Sequence, residues 1–163
     1  MAIVKWLLIG LVVLVLSGVV AGQLGLLRGK TPSDLGVHES LLKPPSPTPN
    51  SVSSQAALHP AHPMRDRAAI PALALRGNGA ATLARIKAVV TAMPGATVVT
   101  SAPDYLYAQF ETRWMKYVDD VEFWFDPKAN VVQVRSASRV GREDFNLNRQ
   151  RVEAIRASLA SAP

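Results

Sequence analysis

Residues 118–138, VDDVEFWFDPKANVVQVRSAS, read as two extended runs around a turn, and their alternation leaves the chain one way to pair them. Val121, Phe123 and Phe125 share one face of the first run, and Val132 and Val134 share one face of the second. Pairing Phe125 with Val132 and Phe123 with Val134 puts all five on the same side. Asp126 to Val131, with its Asp-Pro and Ala-Asn steps, is then the connection. A slip of one residue would turn the whole apolar set to the opposite face. The same register sets Glu122 across from Arg135, with Asp120 in diagonal reach of Arg135 and Arg139, so the second face becomes a ladder of charges. On the apolar face the set ends with Val121 across from Ser136 and Asp119 across from Ser138.

The flanking segments extend this sheet and cover it. Thr97 to Ser101 is short and β-branched, and Tyr105 to Thr112 alternates Leu106, Ala108 and Phe110 against Tyr105, Tyr107, Gln109 and Glu111. Asn78-Gly79 opens a helix carrying Leu83, Ile86, Val90 and Met93 at helical spacing, and Pro94-Gly95 stops it. Beyond Gly141, Asp144 is placed to cap a final helix whose buried stripe is Val152, Ile155 and Leu159, with Asn148 one turn earlier on the same stripe. Met64 to Leu75 contains Ile70-Pro71 and suits an edge or irregular strand. The expected class is α+β: an antiparallel sheet of four strands, five if the lead-in joins, with two helices on one face and a transmembrane helix ahead of it.

That helix is the uncharged stretch from Trp6 to Leu27, bounded by Lys5 on one side and Arg28 and Lys30 on the other. It is long enough to cross about 30 Å of hydrocarbon, and a retained single span is preferred to a cleaved secretory signal. Leu16-Ser17-Gly18 opens like a lipoprotein signal, but Val19 stands where the lipidated Cys would be. Residues 31–63 are rich in Pro, Ser and His (KPPSPTPN, HPAHP) without a sustained period, which predicts an extended spacer. The expected division is therefore an anchor at 1–30, a linker at 31–63 and a domain at 64–163. The expected location is a bacterial inner membrane, with the domain on the periplasmic or extracytoplasmic side.

Charge and composition narrow the function. Of the net +6, half comes from Lys5, Arg28 and Lys30, and the other 15 basic and 12 acidic residues nearly cancel, which argues against nucleic acid as a partner. The chain has no Cys, so disulfides, thiol chemistry and Cys-ligated zinc are excluded. His59 and His62 lie in a Pro-punctuated stretch without a third ligand, so no metal is expected, and no cofactor-binding motif is present. Ser136 and Ser138 have no nearby base, because the three histidines, His38, His59 and His62, all precede the domain. Asp119 and Asp120 point to opposite faces and cannot converge as an acid/base pair. No catalytic residue is assigned.

What remains is a polar set: Asp119, Asp120, Glu122, Arg135, Ser136, Ser138, Arg139, Asn148 and Arg151. One reading is a site for an anionic ligand held by forked guanidinium donors. The other is a structural network in which the charges satisfy one another, and this is preferred. The functional expectation is a membrane-anchored binding or assembly module contacting an envelope protein or an anionic lipid or glycan. The alternative is a hydrolase using Asp119 with Ser136 or Ser138. Trp124, Tyr105 and Tyr107 fall on the ladder face, where a helix is expected to cover them, and Trp114 and Met115 are expected in a core or edge role.

The segments VDDVEF at 118–123, VRSASRVG at 134–141 and NRQRVEAIR at 148–156 resemble the DUF1499 family of uncharacterised proteins, and PNSVSSQA at 49–56 is similar to that family's PNCVSSQA. The resemblance runs from Pro49 to the terminal helix and implies no activity, since the family has no assigned function. Ser51 stands where the family motif has Cys, and the position of a second family Cys falls among Pro45 and Ser46. Any role resting on those thiols is closed to this chain.

Overall fold

A computed structural model describes residues 2–161. Its first element, α1 (Ala2–Gln23), has a mean hydropathy of 2.6 and is long and apolar enough to cross a membrane, a test that a signal sequence also passes. The elements that follow are β1 (Ser51–Ser53), a 3-10 turn at Ala56–Leu58, the one-turn helix α2 (Arg65–Ala68), β2 (Leu73–Ala74), α3 (Gly79–Ala92), β3 (Ala96–Ser101), β4 (Tyr105–Glu111), β5 (Val118–Asp126), β6 (Val131–Ser138) and α4 (Leu147–Ser161). The class is α+β, as the element order predicts. The sheet runs β1-β6-β5-β4-β3, and β2 pairs with the remaining length of the β6 edge.

The hairpin has the expected register: Phe125 faces Val132, Phe123 faces Val134, Glu122 faces Arg135 and Asp119 faces Ser138. Its apolar face, extended by Leu106, Ala108 and Phe110 of β4, packs against Leu83, Ile86 and Val90 of α3 and Val152, Ile155 and Leu159 of α4. Each large aliphatic side chain buried there contributes about 1.5–3 kcal/mol. The helix α3 starts where the Asn78 side chain accepts from the Ala81 amide at 2.8 Å. It ends ahead of Gly95, which sits at φ +74 and receives the Glu111 amide on its carbonyl at 2.8 Å. A Cβ on Gly95 would lie 2.3 Å from the Glu111 carbonyl oxygen. Gly95→Ala is therefore expected to cost more than about 1 kcal/mol, read as a lowered midpoint in chemical denaturation.

Two features depart from the sequence reading. The sheet has six strands rather than four or five, because β1 and β2 both add to β6. The strand β1 comes from the segment read as a spacer. Ser51, Val52 and Ser53 pair with Ala137, Ser136 and Arg135, and Leu42, Val52 and Ala56 are buried. A division at residue 63 thus cuts through packed structure. A three-residue strand rich in Ser has no detectable period, and burying its polar atoms is favourable only with partners already in place. They are in place here: the Ser51 hydroxyl accepts from the Ser46 amide at 2.8 Å, and the Ser54 hydroxyl accepts from the Val134 amide at 2.8 Å and donates to Gln133 at 2.7 Å. Ser46 and Ser51 adjoin through a hydrogen bond at the place where the resemblance puts the thiols.

Candidate functional site

On the ladder face the chain between Gly36 and Pro44 meets the charged side chains, through the Gly36 amide on Glu122 and the Pro44 carbonyl on Arg135. Asp120 and Arg139 form a two-point pair, with Arg139 Nη2 donating to Oδ1 at 2.7 Å and Nε to Oδ2 at 2.9 Å. The Tyr107 hydroxyl donates to Asp120 Oδ1 at 2.5 Å and accepts from Arg139 Nη2 at 3.1 Å and Gln109 Nε2 at 2.8 Å. The next rung is looser. Glu122 Oε1 accepts from the Tyr105 hydroxyl at 2.8 Å and the Gly36 amide at 2.7 Å, while Oε2 stands 3.6 Å from Arg135 Nη1 without a hydrogen bond among the described residues. Arg135 Nε instead donates to the Pro44 carbonyl at 3.2 Å.

All four of these charged side chains are at most 5 % exposed. Burial pushes the Glu122 carboxyl up and the Arg135 guanidinium down, each toward its neutral form. Hydrogen bonding to Asp120 pushes the Arg139 guanidinium up. An external anion would reach these arginines only by displacing a carboxylate or the covering chain. The ladder is a buried internal network. Trp124 and Tyr107 are buried on this face.

The second group lies on the apolar face, at the end of the sheet where β5 and β6 meet α4. Arg151 Nη2 donates to Asp119 Oδ2 at 2.6 Å, and Nη1 donates to Asn148 Oδ1 at 2.7 Å and Ser136 Oγ at 3.0 Å. The same guanidinium sits 4.5 Å from the centre of the Phe110 ring. Asn148 Nδ2 reaches Ser138 Oγ at 3.1 Å, the Asn50 carbonyl at 3.1 Å and Asp144 Oδ2 at 2.9 Å. Asp144 also takes the Asn148 amide at 2.9 Å, the capping role expected of it. Ser136 is fully buried and donates to Asn148 Oδ1.

The nine residues singled out in the sequence thus form two sets on opposite faces. Asp120, Glu122, Arg135 and Arg139 belong to the ladder; Asp119, Ser136, Ser138, Asn148 and Arg151 belong to the sheet end. Asp119 and Ser138 of the second set line an open groove of about 480 Å³, where they are joined by Thr112, Tyr117, Asp144 and Phe145. Thr112, Tyr117 and Phe145 have no motif of their own. The available signal was a lone aromatic inside the polar run GREDFN. The groove's two bounding loops carry non-glycine residues in the left-handed region, Lys116 at φ 57 in one and Phe145 at φ 52 and Asn146 at φ 67 in the other. Such conformations cost about 1 kcal/mol or more each, and they concentrate at functional edges.

Three carboxylates, Asp119, Glu143 and Asp144, line this groove. Asp119 is neutralised by Arg151, and Glu143 pairs with Arg67 at 3.2 Å. Among the described residues no group of three or more His, Cys, Asp or Glu side chains is arranged to hold a metal ion. Residues 41–159 match the sequence model of a family described as protein of unknown function (DUF1499). The matched region begins well ahead of residue 64 and includes β1. No curated protein matches the chain.

Proposed function

The chain belongs to DUF1499, a family of unknown function, and we propose that it is a membrane-anchored, non-catalytic binding or assembly module of the cell envelope, taking its partner in the groove at the end of β5 and β6. The observation that carries this reading is the contrast between the two polar sets. The ladder's charges are consumed internally, whereas Asp119 and Ser138 open onto a groove rimmed by an exposed aromatic side chain. Glu143, whose pair with Arg67 is solvent-exposed, gives the groove a negative edge that favours a partner bearing cationic or amide donors over an anionic lipid or glycan. A segment of another envelope protein fits that chemistry. The hydrolase reading draws no support, because Ser136 is buried and held by Asn148 and Arg151, and no histidine is a hydrogen-bond partner of either serine among the described residues.

A photo-crosslinking residue at Glu143, whose exposed ion pair contributes only about 0–1 kcal/mol, should give a discrete protein adduct in native membranes. The same residue at Thr100 on β3 should give none. Equal adducts from both positions, or none from Glu143, would refute the assignment of the groove. A reporter that matures only outside the cytoplasm, fused after Pro163, is expected to be active if the domain faces the extracytoplasmic side.

A further inference from the structure

The end of α1 is packed against the loop between β4 and β5. Gly22 is buried there, and a Cβ on it would lie 2.6 Å from the Met115 carbonyl oxygen. One turn earlier, a Cβ on Gly18 would lie 3.3 Å from Met115 Cε. Gln23 Nε2 donates to the Trp114 carbonyl at 3.0 Å and the Arg113 carbonyl at 3.4 Å. The two glycines, four residues apart, give the loop a flat surface to approach.

This contact fixes the loop's depth. Gln23 ends the helix and, apart from the small Ser17, is the first polar side chain after Lys5, so it marks the headgroup level of a helix that spans the bilayer. Gly18 then lies about 7 Å deeper, at 1.5 Å of rise per residue. Met115 therefore reaches the outer hydrocarbon, and its neighbours lie at the interface. Those neighbours are composed for it. Trp114 is 61 % exposed and Phe145 78 %, and Tyr117, Leu147, Leu24 and Leu26 are also exposed. Tyr117 shares the 480 Å³ groove with Phe145 and Leu147, which places the two loops on one edge. Arg113, stacked 5.0 Å from the Trp114 ring centre, puts a positive charge beside the apolar pair, while Lys116 is paired with Glu111 at 2.8 Å.

We propose that this edge, Trp114 and Met115 together with Phe145, is a second membrane contact that seats the domain in the interfacial layer of the bilayer its own helix crosses. An exposed apolar patch of this extent is otherwise a liability in water. Trp at the headgroup level with a basic residue beside it is the composition that an anionic membrane surface favours. The occupant is the bilayer because the patch is continuous with the apolar helix, and the positive loop charge complements anionic headgroups. The proposal rests on the helix being a membrane span, and because Phe145 also rims the groove it leaves to a partner only the inner part lined by Asp119 and Ser138.

The chain has no Cys, so single labels are direct. The full chain carrying Trp114→Cys, Phe145→Cys or, as control, Val99→Cys is nitroxide-labelled in vesicles of phosphatidylethanolamine and phosphatidylglycerol. Collision rates with oxygen and with a water-soluble nickel chelate are then compared. Positions 114 and 145 are expected to favour oxygen and to be shielded from nickel, while position 99 shows the reverse. Leu147→Cys replaces either label should it alter the unfolding curve. Nickel access at 114 and 145 equal to that at 99 overturns the proposal. Shielding from both reagents also overturns it, since a covering protein would then occupy the edge. Release of the chain from membranes by alkaline carbonate overturns the span and the seating together, whereas retention with nickel access overturns the seating alone.

Discussion

A fragment beginning at Met64 is expected to show no cooperative unfolding transition and to aggregate, while one beginning at Arg28 melts cooperatively. Composition marks residue 63 as the end of a linker, yet the residues before it are part of the fold. Their removal takes away the burial of Leu42 and Val52, about 1.5–3 kcal/mol each. It also removes the Ser54 hydroxyl and amide from Val134, the Asn50 carbonyl from Asn148 and the Pro44 carbonyl from Arg135, at about 0.5–1.5 kcal/mol each. The sum is comparable to the 5–15 kcal/mol that stabilises an ordinary domain. Loss of β1 additionally leaves the Arg135 to Ala137 stretch of β6 as an open edge, a template for pairing between chains. Near-ultraviolet circular dichroism during urea titration of both fragments is the measurement. Equal midpoints would show that residues 28–63 contribute nothing to the fold.

The second large effect is on the ladder. Arg139→Ala should lower the stability of the full chain by about 3–5 kcal/mol, because Asp120, almost fully buried, would lose its two-point partner. Asp120→Ala should cost a similar amount, and the double variant well under the sum. Arg139→Lys retains charge but not the fork, and should fall between. Guanidinium chloride unfolding in detergent reads all four variants. A wild-type melting curve for Arg139→Ala, accompanied by loss of a co-purifying partner, would make the ladder a binding surface and not a folding device. The looser Glu122 and Arg135 rung, both pushed toward their neutral forms by burial, is retained by Tyr105, Gly36 and Pro44 as much as by its own charge pairing.

The membership of the candidate site was legible in part. Asp119 across from Ser138 and Val121 across from Ser136 follow the hairpin register, and Asn148 lies on the buried stripe of α4, whereas Arg151 is brought to them only by the packing of that helix. The separation of Asp119, Ser136 and Ser138 from Asp120, Glu122, Arg135 and Arg139 follows from the two-residue period of the strands. The groove beside the first set was not legible, because Thr112, Tyr117 and Phe145 lie in loops with no period. Phe145 in particular depends on a left-handed backbone that no residue type announces. Trp114 was expected in a core or edge role; it is exposed beside the end of α1, a placement that depends on how the helix docks.

What the sequence determined by itself is the part governed by periodicity and short-range chemistry: the hairpin and its register, the limits of α3 set by Asn78 and by Pro94-Gly95, the stripe of α4, and a leading helix apolar enough to span a bilayer. Each rests on contacts between neighbouring residues or on one alternation that a slip would ruin. Only the tertiary structure decided that residues 41–58 are a strand and a cover, that the ladder is internal, and that Arg151 reaches across from α4 to Asp119. Those arrangements bury hydroxyls, amides and charges, and burial of polar groups is favourable only once distant partners converge. A polar, Pro-broken segment therefore reads as a linker in isolation and becomes structure when the strand it needs is already beside it.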